Sequence, residues 1–361
     1  MRLLGEITDP TFTPREHNSY EKQLLKVTKD ERDLPFTKLL VRISVTLLPM
    51  AVSLYFIDGV LWWIVALTFL FFNIFKMKGS HGLMLHCISH RPLFKKQYSF
   101  LWHYVNWIIN PLFGHTPETY FSHHMGMHHP ENNMPEDGSC TMGYQRDSWK
   151  DFLVYLGHFL LLGFVDLFKY LTGKKRYKLA YTAMLGELSF YTACIFLAFV
   201  DLHATIVALI IPFVSARIIM MIGNWTQHSF VDPDEPDNVY KSSITCINIK
   251  YNHKCWNDGY HTSHHARPAL HWLEHPTNFM KNIDKYAENR SVVFDQLDFL
   301  GVFSCLMTKN YQKLADHFVN LNNSFASDEE IIRLLQYRTQ KFDVSEVTDP
   351  VVLNPIPVIA D

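Results

Sequence analysis

The chain has 361 residues, 48% of them apolar and 14% Phe, Tyr or Trp, a composition that points away from an ordinary water-soluble domain and toward a membrane. A formal charge of -2 gives no reason to expect nucleic acid as a partner. The six cysteines are scattered with no CxxC pair, so they read as reduced thiols and not as a disulfide framework.

The N-terminal stretch MRLLGEITDPTFTPREHNSYEKQ turns polar early and lacks the apolar core of a signal peptide, so insertion is expected to rely on internal segments. Residues 39–57 and 60–75 are almost wholly apolar and are separated only by Asp58 and Gly59. About 20 residues of helix cross a bilayer core of about 30 Å, so this reads as a transmembrane helical hairpin. Residues 183–200 and 204–222 form a second, turning at Asp201, Leu202 and His203. Within it Glu187 and Arg217 must face a bundle interior or a cavity, as a structural ion pair or as part of a substrate tunnel. Between the hairpins, residues 100–114 are too short to span, and residues 151–171 are interrupted by His158, Asp166 and Lys169. Both read as helices at the membrane interface. The two turns carry no Lys or Arg whereas the flanking segments carry many, which puts the turns outside or lumenal and the rest in the cytosol.

From about residue 277 the sequence is polar and mixed, with a helix start at Ser327 followed by Glu330. The last twenty residues read as an extended tail. The expected division is a cytosolic arm (1–38), a membrane catalytic domain (39–276) and a cytosolic C-terminal helical segment and tail (277–361). The fold class is thus an all-α membrane protein with two transmembrane hairpins, about four spans, and a cytosolic helical cap.

Twenty histidines are the outlier, and eleven fall in four clusters. These are HGLMLHCISHR (His81, His86, His90), HHMGMHHPENN (His123, His124, His128, His129), GNWTQHSF (Asn224, His228) and GYHTSHHARP (His261, His264, His265). Residues four apart on a helix share a face, and His86/His90, His124/His128 and Asn224/His228 have that spacing. Two clusters follow the first hairpin and two follow the second, so an even number of crossings leaves all four on one side of the membrane. One tetrahedral site takes at most four protein ligands, so nine or ten clustered imidazoles imply two metals. Imidazole suits Zn, Cu, Fe and Ni alike. Glu118, Glu131, Asp232, Asp234 and Asp258 are candidate acceptors that would orient the rings, or ordinary loop residues.

The clusters resemble the three histidine boxes of the membrane fatty acid desaturase and hydroxylase superfamily, which includes alkane hydroxylases. HCISH is similar to the first box, HMGMHH to the second and HTSHH to the third, and the resemblance spans roughly residues 39–276. It implies a cytosolic centre of two irons that uses O2 and external electrons to attack an unactivated C–H of a long acyl or alkyl chain. The implied ligands are His86, His90, His124, His128, His129, His228, His261, His264 and His265. Asn224 matches an asparagine that contacts iron through water. The second box has three intervening residues where two are commoner, which leaves His123 as an alternative to His124, and His81 offers an alternative first box. No HPGG-type haem-binding segment is present, so electrons are expected from a separate donor of cytochrome b5, ferredoxin or rubredoxin type.

The implied reaction is desaturation of an acyl-lipid or acyl-CoA. Hydroxylation of a fatty acid or alkane, and decarboxylation of a fatty acid to a 1-alkene, are the alternatives within the superfamily. A zinc-dependent membrane lipid hydrolase is the alternative of another class. The expected location is the endoplasmic reticulum of a eukaryote or the inner membrane of a bacterium, with the active site facing the cytosol.

Overall fold

A computed structural model describes residues 1–342, so all but the first residue of the expected tail lies outside the described residues. The first apolar pair folds as α1 (Glu31–Ser53) and α2 (Gly59–His90). The Asp30 carboxylate accepts the Arg32 N–H at 3.0 Å and Pro35 sits in the first turn, which together start α1. Gly59 takes the left-handed φ of +61° that lets the chain reverse between the two helices. Only 17% of the most apolar window of α2 is covered by protein, leaving Val60, Trp63, Leu67 and Phe75 outward where lipid must solvate them. At 1.5 Å per residue its 32 residues run about 48 Å, well beyond a core of about 30 Å. The surplus carries His86 and His90 clear of the bilayer.

Residues 101–112 form a short helix, α3, which docks on α1 through Ser44 Oγ and Tyr104 Oη, 2.7 Å apart. Residues 119–131 form α4, which holds the second histidine cluster. Three long helices follow: α5 (Trp149–Gly173), α6 (Tyr177–Val200) and α7 (Leu202–Gln227). Asp201 opens α7, its carboxylate accepting the Ala204 N–H at 2.9 Å. The turns of the two hairpins meet at one end of the bundle, where Tyr55 Oη lies 2.9 Å from Thr205 Oγ1 and Trp62 packs edge-on to His203. Glu187 and Arg217 form an ion pair inside the bundle at 3.3 Å, with Thr116 also on the carboxylate, so the ion-pair reading of these residues holds.

By length and composition α5 could also cross a membrane. Yet His129 before α5 and His264 after α7 lie in hydrogen-bonding contact at 3.0 Å, and three crossings between them would put them on opposite faces. Both ends of α5 also touch the histidine end of the molecule. Phe152 near its start packs edge-on against Trp225 and Phe303, and Leu167 and Leu171 near its end pack with Met127. The helix therefore lies along the interface, as its interrupting His158, Asp166 and Lys169 require.

The cap is tied together across the sequence. Strand β1 (Ile244–Ile247) pairs in parallel with β2 (Val292–Asp295), a two-stranded sheet that hydropathy alone does not announce. The N-terminal arm threads into the same region: Arg2 N donates to the Phe318 carbonyl at 2.7 Å, and Asp9 accepts from Tyr260 Oη at 2.7 Å. Helix α8 (His261–Ala266) holds the third box, and Phe299–Met307, Tyr311–His317 and Asp328–Arg338 follow as α9, α10 and α11. Ser327 caps α11 as its sequence predicts, accepting the Glu330 N–H. Arg146, fully buried, donates to six backbone carbonyls, those of Thr141, Met142, Tyr144, Ser229, Arg338 and Gln340. It thereby fixes the loop after α4, the segment after α7 and the end of α11 to one another. All six cysteines are free.

Candidate metal centre

Nine of the clustered histidines come together in two adjacent groups. In the first, His86, His90, His124, His129 and His264 each offer a ring nitrogen within 4.8 Å of the others; in the second, His128, His228, His261 and His265 do the same. Each box is divided between the groups or completed by another box, and the helix geometry explains how.

On α2 the four-residue spacing of His86 and His90 puts both on one face, as expected. His81 is five residues before His86, about 140° around the helix, and it turns into the bundle to stack on Phe113 with ring centroids 4.1 Å apart. In the second box residues His124–His128 form a π-turn, in which the His129 N–H bonds to the His124 carbonyl. That i→i+5 bond stacks His124 beneath His129, so these two share the first group, and His128 swings to the second. The third intervening residue is thus accommodated by a wider turn. Four-residue spacing predicts His124 and His128 together, and the π-turn parts them. In the third box His261 and His265 are four apart and share the second group, while His264 faces the first.

His123 is buried against His128, but its Nε2 has no partner and it belongs to neither group. Asn224 also stands outside, donating from Nδ2 to Tyr155 Oη at 2.7 Å and to the Ser139 carbonyl at 2.9 Å.

The donors meet through Nε2. His86 and His264 approach to 2.8 Å, His90 and His124 to 2.9 Å, His264 and His129 to 3.0 Å, His265 and His261 to 2.9 Å. The far nitrogens are held where acceptors exist. His128 Nδ1 lies 2.8 Å from Asp137 Oδ2, His228 Nδ1 lies 2.9 Å from the Ser242 carbonyl, and His86 Nδ1 lies 3.5 Å from Asp258 Oδ1. A carbonyl can only accept, so His228 carries its proton on Nδ1 and turns an Nε2 lone pair toward His261. Burial, reinforced by neighbouring imidazoles, holds His124, His129, His261, His264 and His265 neutral well below their ordinary range. His228 is pushed down to about 4, by burial first and then by His128. Neutral rings with converging lone pairs repel one another unless a cation lies between them. A metal about 2.1 Å from each nitrogen would set neighbouring donors roughly 3 Å apart, which is the spacing seen, so the residues fit two imidazole-bound metals.

Among the candidate orienting carboxylates, Asp258 faces His86 and also accepts from Tyr251 Oη at 2.9 Å and Gln227 Nε2 at 3.1 Å. Glu131 instead takes Tyr170 and Lys174, Asp232 takes Arg338, and Asp234 takes Tyr337. Glu118 opens α4 with a left-handed φ of +62°. Sequence reasoning passed over Asp137. Burial alone would raise its pKa, but His128 and the Ser139 N–H and hydroxyl hold it below the usual carboxylate range. Its one signal is position: MPEDGS reads as a turn that doubles back on the second box. A third set, Asp30, Asp33 and His271, is already satisfied, with Asp33 accepting from His271 at 2.9 Å and Asp30 paired to Arg32 and Arg91.

A family model described as Fatty acid desaturase matches residues 61–296, close to two thirds of the chain and a span that includes all nine grouped histidines. Comparisons with curated proteins and with solved structures gave no match.

Proposed function

The chain belongs to the fatty acid desaturase family, an integral membrane oxidase of desaturase or hydroxylase type, and from that premise we propose an O2-dependent desaturase of long acyl chains holding two irons. His86, His90, His124, His129 and His264 would hold one iron, and His128, His228, His261 and His265 the other. Bound there, iron would supply, with O2 and two external electrons, an oxidant able to take hydrogen from an unactivated C–H. The partition of nine imidazoles into two touching groups supports this reading over a single zinc, which needs no more than four of them.

The protein's own residues prepare that chemistry. Asp137, Ser242 and Asp258 fix ring orientation so that Nε2 faces inward, and removing such partners ordinarily weakens a metal site 10- to 100-fold, by order of magnitude. Both groups are largely buried, which limits the water that would otherwise quench an oxidant before it met its C–H. Desaturation removes two hydrogens from the chain; with two electrons and two protons from the donor side they reduce O2 to two waters. A separate donor of cytochrome b5, ferredoxin or rubredoxin type would supply the electrons. The basic flanks of the hairpins favour a cytosolic centre, in the endoplasmic reticulum or a bacterial inner membrane.

Metal analysis and product analysis test the reading. Iron near two per chain, and a new double bond in host lipids on expression with a reductase partner, are the expected results. A hydroxyl or a lost carboxyl carbon would redirect the reading to the hydroxylase or decarboxylase branch. Zinc alone, with lipid hydrolysis persisting under argon, would overturn it.

A further inference from the structure

The N-terminal arm crosses the cap to reach the loop that leads into the third box, and Asp9 is where it touches that loop. Asp9 is 4% exposed, whereas the stretch just after it, Thr11 to Glu16, is exposed and forms no helix or strand. Its carboxylate accepts three donors from the one loop: the Asn248 N–H at 2.7 Å, the Ile249 N–H at 3.4 Å and the Tyr260 hydroxyl at 2.7 Å. Asn248 returns the contact, its Oδ1 accepting the Thr8 N–H at 2.8 Å. Burying a carboxylate is costly unless such donors meet it, so its position and theirs are set together.

Those donors bracket the loop. Asn248 and Ile249 follow β1 directly, and Tyr260 directly precedes His261. Between them the Pro10 carbonyl accepts from Asn257 Nδ2 at 2.8 Å, next to Asp258, the carboxylate that faces His86. Asn248 and Asn257 hold left-handed φ values of +55° and +56°, so the chain turns sharply at both contacts with the arm. Gly259 seats the end of the loop against β1, where a Cβ would lie 2.4 Å from the Cys246 carbonyl oxygen. Tyr260 is fully buried, its ring centroid 5.9 Å from that of Phe279, and its carbonyl accepts the His264 N–H at 3.0 Å, the first helical bond of α8. One end of Tyr260 is thus fixed by Asp9. The other starts the helix that sends His261 and His265 to one histidine group and His264 to the other.

We propose that Asp9 is a positioning residue for the metal centre: through Tyr260 it sets the placement of α8, and together with the Pro10 carbonyl it sets the stance of Asp258 before His86. This role rests on the two-metal reading above. Asp9 itself lies outside residues 61–296, the span that the family model matches. It touches no histidine of either group, and acts on both through the loop it holds.

Titration of the purified full chain with Co(II), followed by its absorption spectrum, tests this without O2 or electrons. Tyr260→Phe deletes one hydroxyl and leaves the Asn248 and Ile249 bonds to Asp9 in place. It should weaken Co(II) binding about tenfold and alter the spectrum, with little change in Tm. Asp9→Ala should weaken binding at least as much, and Asp9→Asn, which keeps one acceptor oxygen, should recover part of the loss. In the double variant Asp9→Ala/Tyr260→Phe the losses should not add, because both break one link. Arg2→Ala frees the start of the arm from Asp295 without touching Tyr260; it should lower Tm and leave Co(II) binding unchanged. Wild-type binding in both Asp9→Ala and Tyr260→Phe overturns the proposal. So does an Arg2→Ala loss as large as theirs, because the arm would then act through stability alone. Failure of the two-metal reading would appear separately, as wild type that takes up no Co(II). Hydrogen exchange of residues 259–266 in the metal-free chain then decides: faster exchange in Tyr260→Phe than in wild type keeps the positioning role, and equal exchange overturns it.

Discussion

The two histidine groups are built alike and placed differently. The five-member group opens onto a cleft lined by His86, His90 and His264, and its one orienting carboxylate, Asp258, stands 3.5 Å from His86. The four-member group is enclosed, with Asp137 at 2.8 Å and the Ser242 carbonyl at 2.9 Å fixing two of its rings. One group is arranged for access and the other for rigidity.

Removing a ligand from either group is the largest perturbation. His264→Ala and His265→Ala should each abolish product formation, and each should lower iron from two per chain toward one. Metal analysis of the two purified variants shows whether the groups bind independently; loss of both irons from either one would break the distinction. Next comes Arg146→Ala, which leaves six carbonyls around an empty pocket beside the enclosed group. Each buried carbonyl left without its donor costs about 1 to 3 kcal/mol, so a clear loss of stability is expected, read as a lowered Tm, with metal leaving the second group first.

Asp137→Asn should lower metal affinity or activity by about 10- to 100-fold, while Asp258→Asn should cost less, because its contact with the ring is longer. Competition with a chelator measures both, and equal losses would erase the contrast between the groups. A further effect is that of pH on the metal-free protein. His123 and His228 are pushed down to about 4 from an ordinary 6.5, chiefly by burial, so the unfolded chain binds more protons between those values. Through these two groups stability should fall as pH drops from 6.5 toward 4. The depressed carboxylate of Asp137 loses its contribution only below its ordinary value of 3.8, outside that window. Thermal melts across the series check this.

Much of the fold was legible because its signals are local. Asp58 with Gly59, and Asp201 with His203, mark turns between apolar runs, and those runs became α1, α2, α6 and α7. His86 and His90 kept the face that their spacing assigns. Two pairs that the spacing puts on one face do not share a group: His124 and His128 are parted by a π-turn, and Asn224 turns from His228 to Tyr155 and the Ser139 carbonyl. The pairing of β1 with β2 and the threading of Arg2 and Asp9 into the cap left no periodic trace, since their partners lie far away in sequence.

The sequence by itself determined that this is a membrane protein of two hairpins with enough imidazole on one face for two metals, because hydropathy and helical spacing act over a few turns. Only the tertiary structure decided how nine rings divide into five and four, that Asp137 braces His128, and that His86, His90 and His264 line a cleft. Those outcomes depend on distances between segments more than a hundred residues apart, such as His129 and His264, which packing sets and no local period encodes.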